Sequence, residues 1–167
     1  GIFLSLEKLD EKPIKNLKKK LLNKVIGKKT YFDHQIHLTL YCFNSKSNLN
    51  IIKKKFLNEI NIKNQLNISV KTKKIFYNDP LTKLDTLVLE TYKSKQLIGI
   101  QKKVFQTFKK FISKNPEKKL PNKTLNYNVS KYGYPFFGKI WIPHITLGSL
   151  DLKKNMDILE IFKSQNI

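Results

Sequence analysis

Two short stretches of the chain carry the same pattern: residues 36–40 read Ile-His-Leu-Thr-Leu, and residues 143–147 read Pro-His-Ile-Thr-Leu. In a β-strand, residues i and i+2 point to the same face, so each stretch presents an imidazole and a hydroxyl on one side. The residue between them, Leu38 or Ile145, points to the other side, where it can join a hydrophobic core. The two stretches therefore predict two strands, each with a buried face and a polar face.

A single His-x-Thr tripeptide is weak evidence for function. A histidine in a strand is more often a hydrogen-bonded, partly buried residue than a catalyst, and a threonine there is usually just a good strand former. Two such tripeptides with similar apolar neighbours, in a chain with only three histidines, are a much rarer coincidence. The pair therefore favours a functional interpretation of four residues, namely His37, Thr39, His144 and Thr146.

Outside these stretches, the chain shows a succession of strand and helix patterns. Alternating or continuous apolar residues predict strands at residues 3–7, 35–43, 67–77, 86–92, 125–131 and 139–150. Apolar residues at helical spacing predict helices at residues 10–26, 49–60, 94–112 and 154–162. The succession lacks the regular crossovers of a parallel sheet, so we expect an α+β fold.

Length and charge limit the organisation of the protein and its partners. A chain of 167 residues fits one domain, which we expect to cover residues 1–167, and its 40% apolar content can form a core. The formal net charge of +21 attracts polyanions, of which nucleic acid is the usual candidate. All 33 basic residues are lysines and the chain has no arginine or alanine, a pattern that codon bias in a very AT-rich genome also produces. Without arginine, phosphate must be bound by lysine, hydroxyl, imidazole or backbone N–H groups.

The composition argues against several classes of protein. No run of about 18 uncharged apolar residues exists, so we expect no membrane-spanning segment. The apolar start of the chain is interrupted too soon, by Glu7 and Lys8, to be a signal peptide. The single cysteine, Cys42, has no partner for an internal disulfide. A reducing, cytoplasmic setting is therefore expected.

The four motif residues are of the types that phosphodiester hydrolysis needs. A base must activate the nucleophile and an acid must protonate the leaving oxygen, and imidazole titrates near neutral pH, so each histidine can take one role. Two threonine hydroxyls can bind the non-bridging oxygens while charge develops on them. The remaining histidine, His34, lies at an odd offset from His37 and is interpreted as a loop or surface residue. Three histidines without spaced cysteines or an acidic cluster do not indicate a zinc site, so we expect no metal and no cofactor.

The two motifs resemble those of the 2H phosphoesterase superfamily, which includes bacterial 2′-5′ RNA ligase-like proteins and 2′,3′-cyclic phosphodiesterases. The resemblance covers most of the chain: a short strand, a helix, a first His-x-Thr strand and a second one much further along. It implies a bilobal α+β fold, in which two antiparallel sheets form a central cleft with helices on the outside. It also implies that His37 and His144 are the acid–base pair and that Thr39 and Thr146 bind the phosphate.

Two features depart from that family. Many members have a basic residue shortly after each motif, whereas this chain has Tyr41 four residues after His37 and Ser149 after the second motif. Members usually end on a further strand, and this chain stops soon after its last predicted helix. Tyr41 is predicted to bind substrate, as are Tyr132 and Tyr134 from the aromatic loop before the second motif, since exposed rings can stack on a nucleobase.

We therefore expect a metal-independent phosphodiesterase that acts on RNA-like or nucleotide substrates with a 2′,3′-cyclic phosphate or a 2′-5′ linkage. Reversible 2′-5′ RNA ligation through the same groups stays open, because it reverses the step that forms the cyclic phosphate. A non-catalytic RNA-binding protein on the same scaffold also stays open, as does a role on a nucleotide sugar or signalling nucleotide. We expect a monomer whose partner is RNA or a nucleotide, and the near-equivalent motifs leave open which histidine is the base.

Overall fold

A computed structural model of the chain describes residues 1–5, 8–45, 47–60, 66–113, 120 and 122–165. Its strands are β1 (Ile2–Ser5), β2 (Lys29–Thr30), β3 (His37–Tyr41), β4 (Val70–Phe76), β5 (Asp85–Thr91) and β6 (His144–Leu150). Its helices are α1 (Lys8–Leu22), α2 (Leu49–Glu59), α3 (Lys95–Phe108), α4 (Lys123–Tyr132) and α5 (Met156–Ser164). None of the helices in these ranges is long and apolar enough to cross a membrane. The combination of helices with an antiparallel sheet confirms the predicted α+β class.

The strands of the described residues form one six-stranded sheet in the order β1-β3-β6-β5-β4, and β2 also pairs with β6. β6 runs antiparallel to β2, β3 and β5, and β4 runs antiparallel to β5. Ile145 of β6 is the register partner of Leu38 on one side and of Leu89 on the other. The family resemblance implied two antiparallel sheets. The described strands form one sheet instead, because β6 pairs with both β3 and β5.

The chain divides into two compact units and passes between them several times. Unit 1 consists of Gly1–Phe3, Thr39–Ile68 and Lys93–Ile142, and unit 2 consists of Leu4–Leu38, Ser69–Tyr92 and Pro143–Ile167. The division falls inside β3, directly after Leu38. Both predicted catalytic histidines therefore belong to unit 2.

Unit 2 has a hydrophobic core in which one face of the sheet packs with α1 and α5. The helix α1 contributes Ile14, Leu17 and Leu21, whose spacing places them on one side of the helix. The sheet and α5 contribute further buried apolar residues, namely Leu87, Leu89, Ile145, Leu147, Ile158 and Phe162. Because side chains alternate along a strand, the histidine and threonine of the β6 motif lie on the opposite face.

Unit 1 contains the helix α3, which begins at a side-chain cap. The hydroxyl of Ser94 accepts a hydrogen bond from the backbone N–H of Leu97 at 3.1 Å. Leu97 and Phe108 are buried on the inner side of the helix. The buried amide of Gln101 donates to the carbonyl of Leu40 at 3.1 Å, which attaches α3 to the backbone of β3.

Residues 125–131 are helical, and the strand predicted there is wrong. The side chain of Asn122 accepts a hydrogen bond from the N–H of Thr124 at 2.7 Å and so caps the first turn of α4. Gly133, with a φ of 70°, ends the helix in the left-handed conformation that glycine adopts without strain. These two caps favour a helix over the weak alternating pattern. The two-residue strand β2 was also not predicted, because it is too short to show a periodicity.

Candidate active site

The two His-x-Thr motifs begin the neighbouring strands β3 and β6 and have the same burial pattern. His37 and His144 are half-buried, whereas the following residues, Leu38 and Ile145, are buried. Because Leu38 and Ile145 are partners in an antiparallel ladder, the same register sets His37 opposite Thr146. Opposed residues share a face of the sheet, so both histidines and Thr146 project away from the hydrophobic core.

Thr39, the fourth motif residue, lies two residues after His37 on β3 and in unit 1. By strand alternation its half-buried side chain projects from the same face of β3 as His37. Its carbonyl accepts a hydrogen bond from the indole of Trp141 at 3.3 Å. Trp141 is buried, so this contact holds the backbone of β3 at the threonine.

A backbone carbonyl determines the ring orientation and tautomer of His37. The Nδ1 atom of His37 lies 2.7 Å from the carbonyl oxygen of Gln35. A carbonyl oxygen only accepts, so this hydrogen bond requires a proton on Nδ1, and the lone pair of the neutral ring is then on Nε2. Nε2 is therefore the nitrogen of His37 that can take or give a proton during a reaction.

A buried lysine, Lys18 of α1, holds the loop that leads into β3. Lys18 is only 5% exposed, and its Nζ donates to the carbonyls of Tyr31 at 3.1 Å and His34 at 2.7 Å. Burial lowers the pKa of Lys18, and the negative charge of Asp33 opposes that effect. These charge-assisted hydrogen bonds fix the backbone directly before His37. The side chain of His34 is exposed, which confirms its interpretation as a surface residue.

Neighbouring strands fix the start of the second motif. The carbonyl of Pro143 accepts hydrogen bonds from the backbone N–H of Thr91 at 2.9 Å and from its hydroxyl at 3.2 Å. The ring of Phe76, from β4, lies nearly perpendicular to the ring of His144, with 5.0 Å between their centroids. The backbone before His144 and one side of its ring are thus both constrained within unit 2.

A carboxylate with two lysines lies beside His144. Glu90 of β5 is the register partner of His144, so the two side chains share a face. The side chain of Glu90 is 12% exposed, and its carboxylate accepts hydrogen bonds from the Nζ of Lys74 at 3.0 Å and of Lys71 at 3.2 Å. Burial alone would raise the pKa of Glu90, but the hydrogen bonds and charges of the two lysines outweigh it and lower that pKa. Two ammonium groups and one carboxylate leave a net positive charge on this part of the sheet.

The residues after the second motif are required for packing. A Cβ atom on Gly148 would lie 2.4 Å from ring carbons of Phe32, so the ring occupies the space of a side chain. The next residue, Ser149, is buried, and its hydroxyl lies 2.8 Å from that of Thr86 in a hydrogen bond. Ser149 therefore stabilises the ladder between β5 and β6.

The three tyrosines predicted to bind substrate lie in unit 1. Tyr41 is fully buried and its hydroxyl donates to the carbonyl of Tyr132. Tyr134 is also buried, with its ring 5.3 Å from that of Tyr41, and burial raises the pKa of both phenols. Tyr132 is half-buried, with its ring 4.4 Å from that of Phe137. Tyr41 and Tyr134 form part of an aromatic core, and this burial does not fit the expected stacking of exposed rings on a base.

Sequence patterns did not single out three residues that lie near the second motif, Lys74, Phe76 and Glu90. A signal was present, because residues 67–77 and 86–92 were predicted as consecutive strands, and the eight residues between them begin with the turn-forming sequence Asn78-Asp79-Pro80. A hairpin brings the lysines of its first strand close to Glu90. The register of β4 against β5 determines which of these lysines share a face with His144. That register cannot be read from the sequence alone.

Comparison with known proteins found no matching family model and no significant match among curated proteins or solved structures. On one face of the sheet, unit 2 brings together two imidazoles, one of defined tautomer, and the hydroxyl of Thr146. Beside them it places a carboxylate that is paired with two lysines. These groups can transfer protons and bind a phosphate.

Proposed function

We propose that the chain is a 2H-type phosphoesterase, a metal-independent phosphodiesterase that hydrolyses a 2′,3′-cyclic phosphate or a 2′-5′ linkage in RNA or a nucleotide. The main support is the register of β3 and β6, in which His37 is opposite Thr146 and His144 shares their face. The ladder between β3 and β6 sets these groups on one face of the sheet, and acid–base catalysis requires its groups in defined positions. Thr39, on the same face of β3 as His37, completes the proposed set of four residues.

In the proposed hydrolysis, one imidazole takes a proton from water while the water oxygen forms a bond to phosphorus. The bond from phosphorus to a ribose oxygen breaks, and the other imidazole gives that oxygen its proton, leaving a phosphomonoester. His37 acts through Nε2 in either role, because Nδ1 stays bonded to the carbonyl of Gln35. The hydroxyls of Thr39 and Thr146 donate to the non-bridging oxygens as negative charge develops.

The proposal extends to the fold and the setting of the protein. The α+β elements and the two compact units of the chain support a bilobal fold of the 2H type, with both motifs in one sheet instead of two. The single cysteine, Cys42, supports a reducing, cytoplasmic setting. The net charge of +21 supports RNA as the partner of a monomeric enzyme, and it equally favours the second candidate, a non-catalytic RNA-binding protein.

A substrate panel tests the proposed activity. The purified chain is incubated with 2′,3′-cyclic nucleotides, 2′-5′ dinucleotides and 3′-5′ dinucleotides, with and without EDTA, and the products are identified by mass and by chromatography. We expect phosphomonoester products from one or both of the first two classes, none from the 3′-5′ controls, and rates that EDTA leaves unchanged.

Two results would count against this proposal. Loss of turnover in EDTA contradicts the metal-independent mechanism. Absence of any product, together with RNA binding that weakens steeply with salt, favours the non-catalytic RNA-binding protein.

A further inference from the structure

The edge strand β4 places a lysine on the same face of the sheet as the two motifs. Lys74 is the register partner of Val88, which is in turn the partner of Thr146, so the three residues form a row across β4, β5 and β6. Neighbouring strands are about 4.8 Å apart, so the backbone of Lys74 lies roughly 10 Å from that of Thr146. Lys74 is therefore two strands away from a phosphate bound at Thr146, a separation that suits a contact with the next phosphate of the same RNA strand.

Lys74 can pair with an added anion without leaving a buried carboxylate unpaired. Glu90 accepts from both Lys74 and Lys71, so two positive charges surround one negative charge. If the ammonium group of Lys74 binds a phosphate, Lys71 still pairs with Glu90. The free-energy cost of leaving a buried carboxylate unpaired is then avoided. The side chain of Lys74 is 41% exposed, so an anion in solution can reach it.

An aromatic ring lies next to this lysine. The Nζ of Lys74 is 6.0 Å from the ring centroid of Phe76, and the same ring contacts His144. Proteins that bind single-stranded nucleic acid combine cations that contact the backbone with aromatic rings on which bases stack. Lys74 and Phe76 therefore offer one group for a phosphate and one for a base, directly beside a proposed catalytic histidine.

We propose that Lys74 and Phe76 form a subsite for the nucleotide adjacent to the phosphate that is cleaved. The preferred substrate is then the end of an RNA strand rather than a mononucleotide. This inference rests on the proposed phosphodiesterase function and specifies its substrate. Many 2H members carry a basic residue shortly after each motif. In this chain, Lys74 of β4 would supply a basic residue to the site instead.

The test compares kcat/KM for a 2′,3′-cyclic mononucleotide with kcat/KM for a short oligoribonucleotide that ends in a 2′,3′-cyclic phosphate. We expect wild-type protein to prefer the oligonucleotide, and Lys74→Gln to lower the ratio of the two values by roughly tenfold, the size expected for the loss of one charge-assisted hydrogen bond. Phe76→Leu, which keeps an apolar side chain and removes the ring, should also lower the ratio. Thermal unfolding of each variant shows whether it is folded.

Lys20→Gln is the matched control, because it removes the same charge from an exposed position on α1, which packs against the other face of the sheet. We expect it to leave the ratio unchanged. An equal decrease of the ratio in Lys20→Gln and Lys74→Gln, or a wild-type enzyme without preference for the oligonucleotide, overturns the subsite while the phosphodiesterase function stands. Turnover of neither substrate overturns both proposals.

Discussion

At the scale of single residues, the two motifs are alike in sequence and differ in their surroundings. His37 donates from Nδ1 to the carbonyl of Gln35, which belongs to the loop before its own strand. His144 has the ring of Phe76 against it and Glu90 as its register partner. The difference arises because β6 has β5 and the edge strand β4 on the side away from β3. The order of the strands in the sheet, and not the sequence of the motif, therefore determines the electrostatic environment of each histidine.

The ion pairs of Glu90 lead to a prediction about acid stability. The two lysines hold the pKa of Glu90 below its ordinary value of 4.5. The ionised carboxylate thus favours the fold above about pH 4.5, the value for an unfolded glutamate, and this stabilisation is lost as the pH falls through the lower folded value. We expect Glu90→Gln to unfold at a lower temperature than wild type at pH 7, and the difference to shrink toward pH 3.

Thermal melts of both proteins between pH 7 and pH 3 provide the measurement. Glu59→Gln is the control, since Glu59 makes a more exposed i,i+4 pair with Lys55, and such pairs stabilise proteins very little. A difference between wild type and Glu90→Gln that persists or grows in acid would show that the ion pairs are not its source.

At the scale of elements, local patterns predict most helices and strands, and long-range packing determines the rest. The spacing of apolar residues located α1, α3, β5 and both motif strands, because those patterns reflect burial on one side of an element. The helix α4 was missed because the caps at Asn122 and Gly133 outweigh a weak alternating pattern. The register of β4 against β5 shifts between Val70 and Thr72. Such a shift depends on contacts between strands, so the sequence did not reveal that Glu90 and Lys74 share a face with His144.

Two glycines that lie in different elements should respond to alanine in opposite directions. In Gly148→Ala the new Cβ would lie 2.4 Å from the buried ring of Phe32, and such overpacking costs about 1–3 kcal/mol. In Gly99→Ala the Cβ points into open space on the exposed side of α3, and alanine stabilises a helix by about 0.5–1 kcal/mol relative to glycine. Urea unfolding of the two variants and wild type measures both changes. If Gly148→Ala proves as stable as Gly99→Ala, the ring of Phe32 does not fill the space over β6.

At the scale of the whole molecule, unit 2 supplies every proposed site residue except Thr39, and it does so from three distant stretches of chain. Its first stretch supplies His37, its second supplies Lys74 and Glu90, and its third supplies His144 and Thr146. They meet because β6 pairs with β3 on one side and with β5 on the other. The net charge of +21 attracts RNA whatever the chemistry of this site, so binding alone does not test catalysis. Turnover does.

Turnover of a 2′,3′-cyclic phosphate substrate by three single-histidine variants tests the two-histidine mechanism. We expect His37→Ala and His144→Ala each to lower kcat by at least about 100-fold, as the loss of a general acid or base does, while circular dichroism shows a folded protein. His34→Ala, which removes an exposed imidazole three residues before His37, should keep the wild-type rate. Wild-type rates in both motif variants, or an equal loss in His34→Ala, would contradict the two-histidine mechanism.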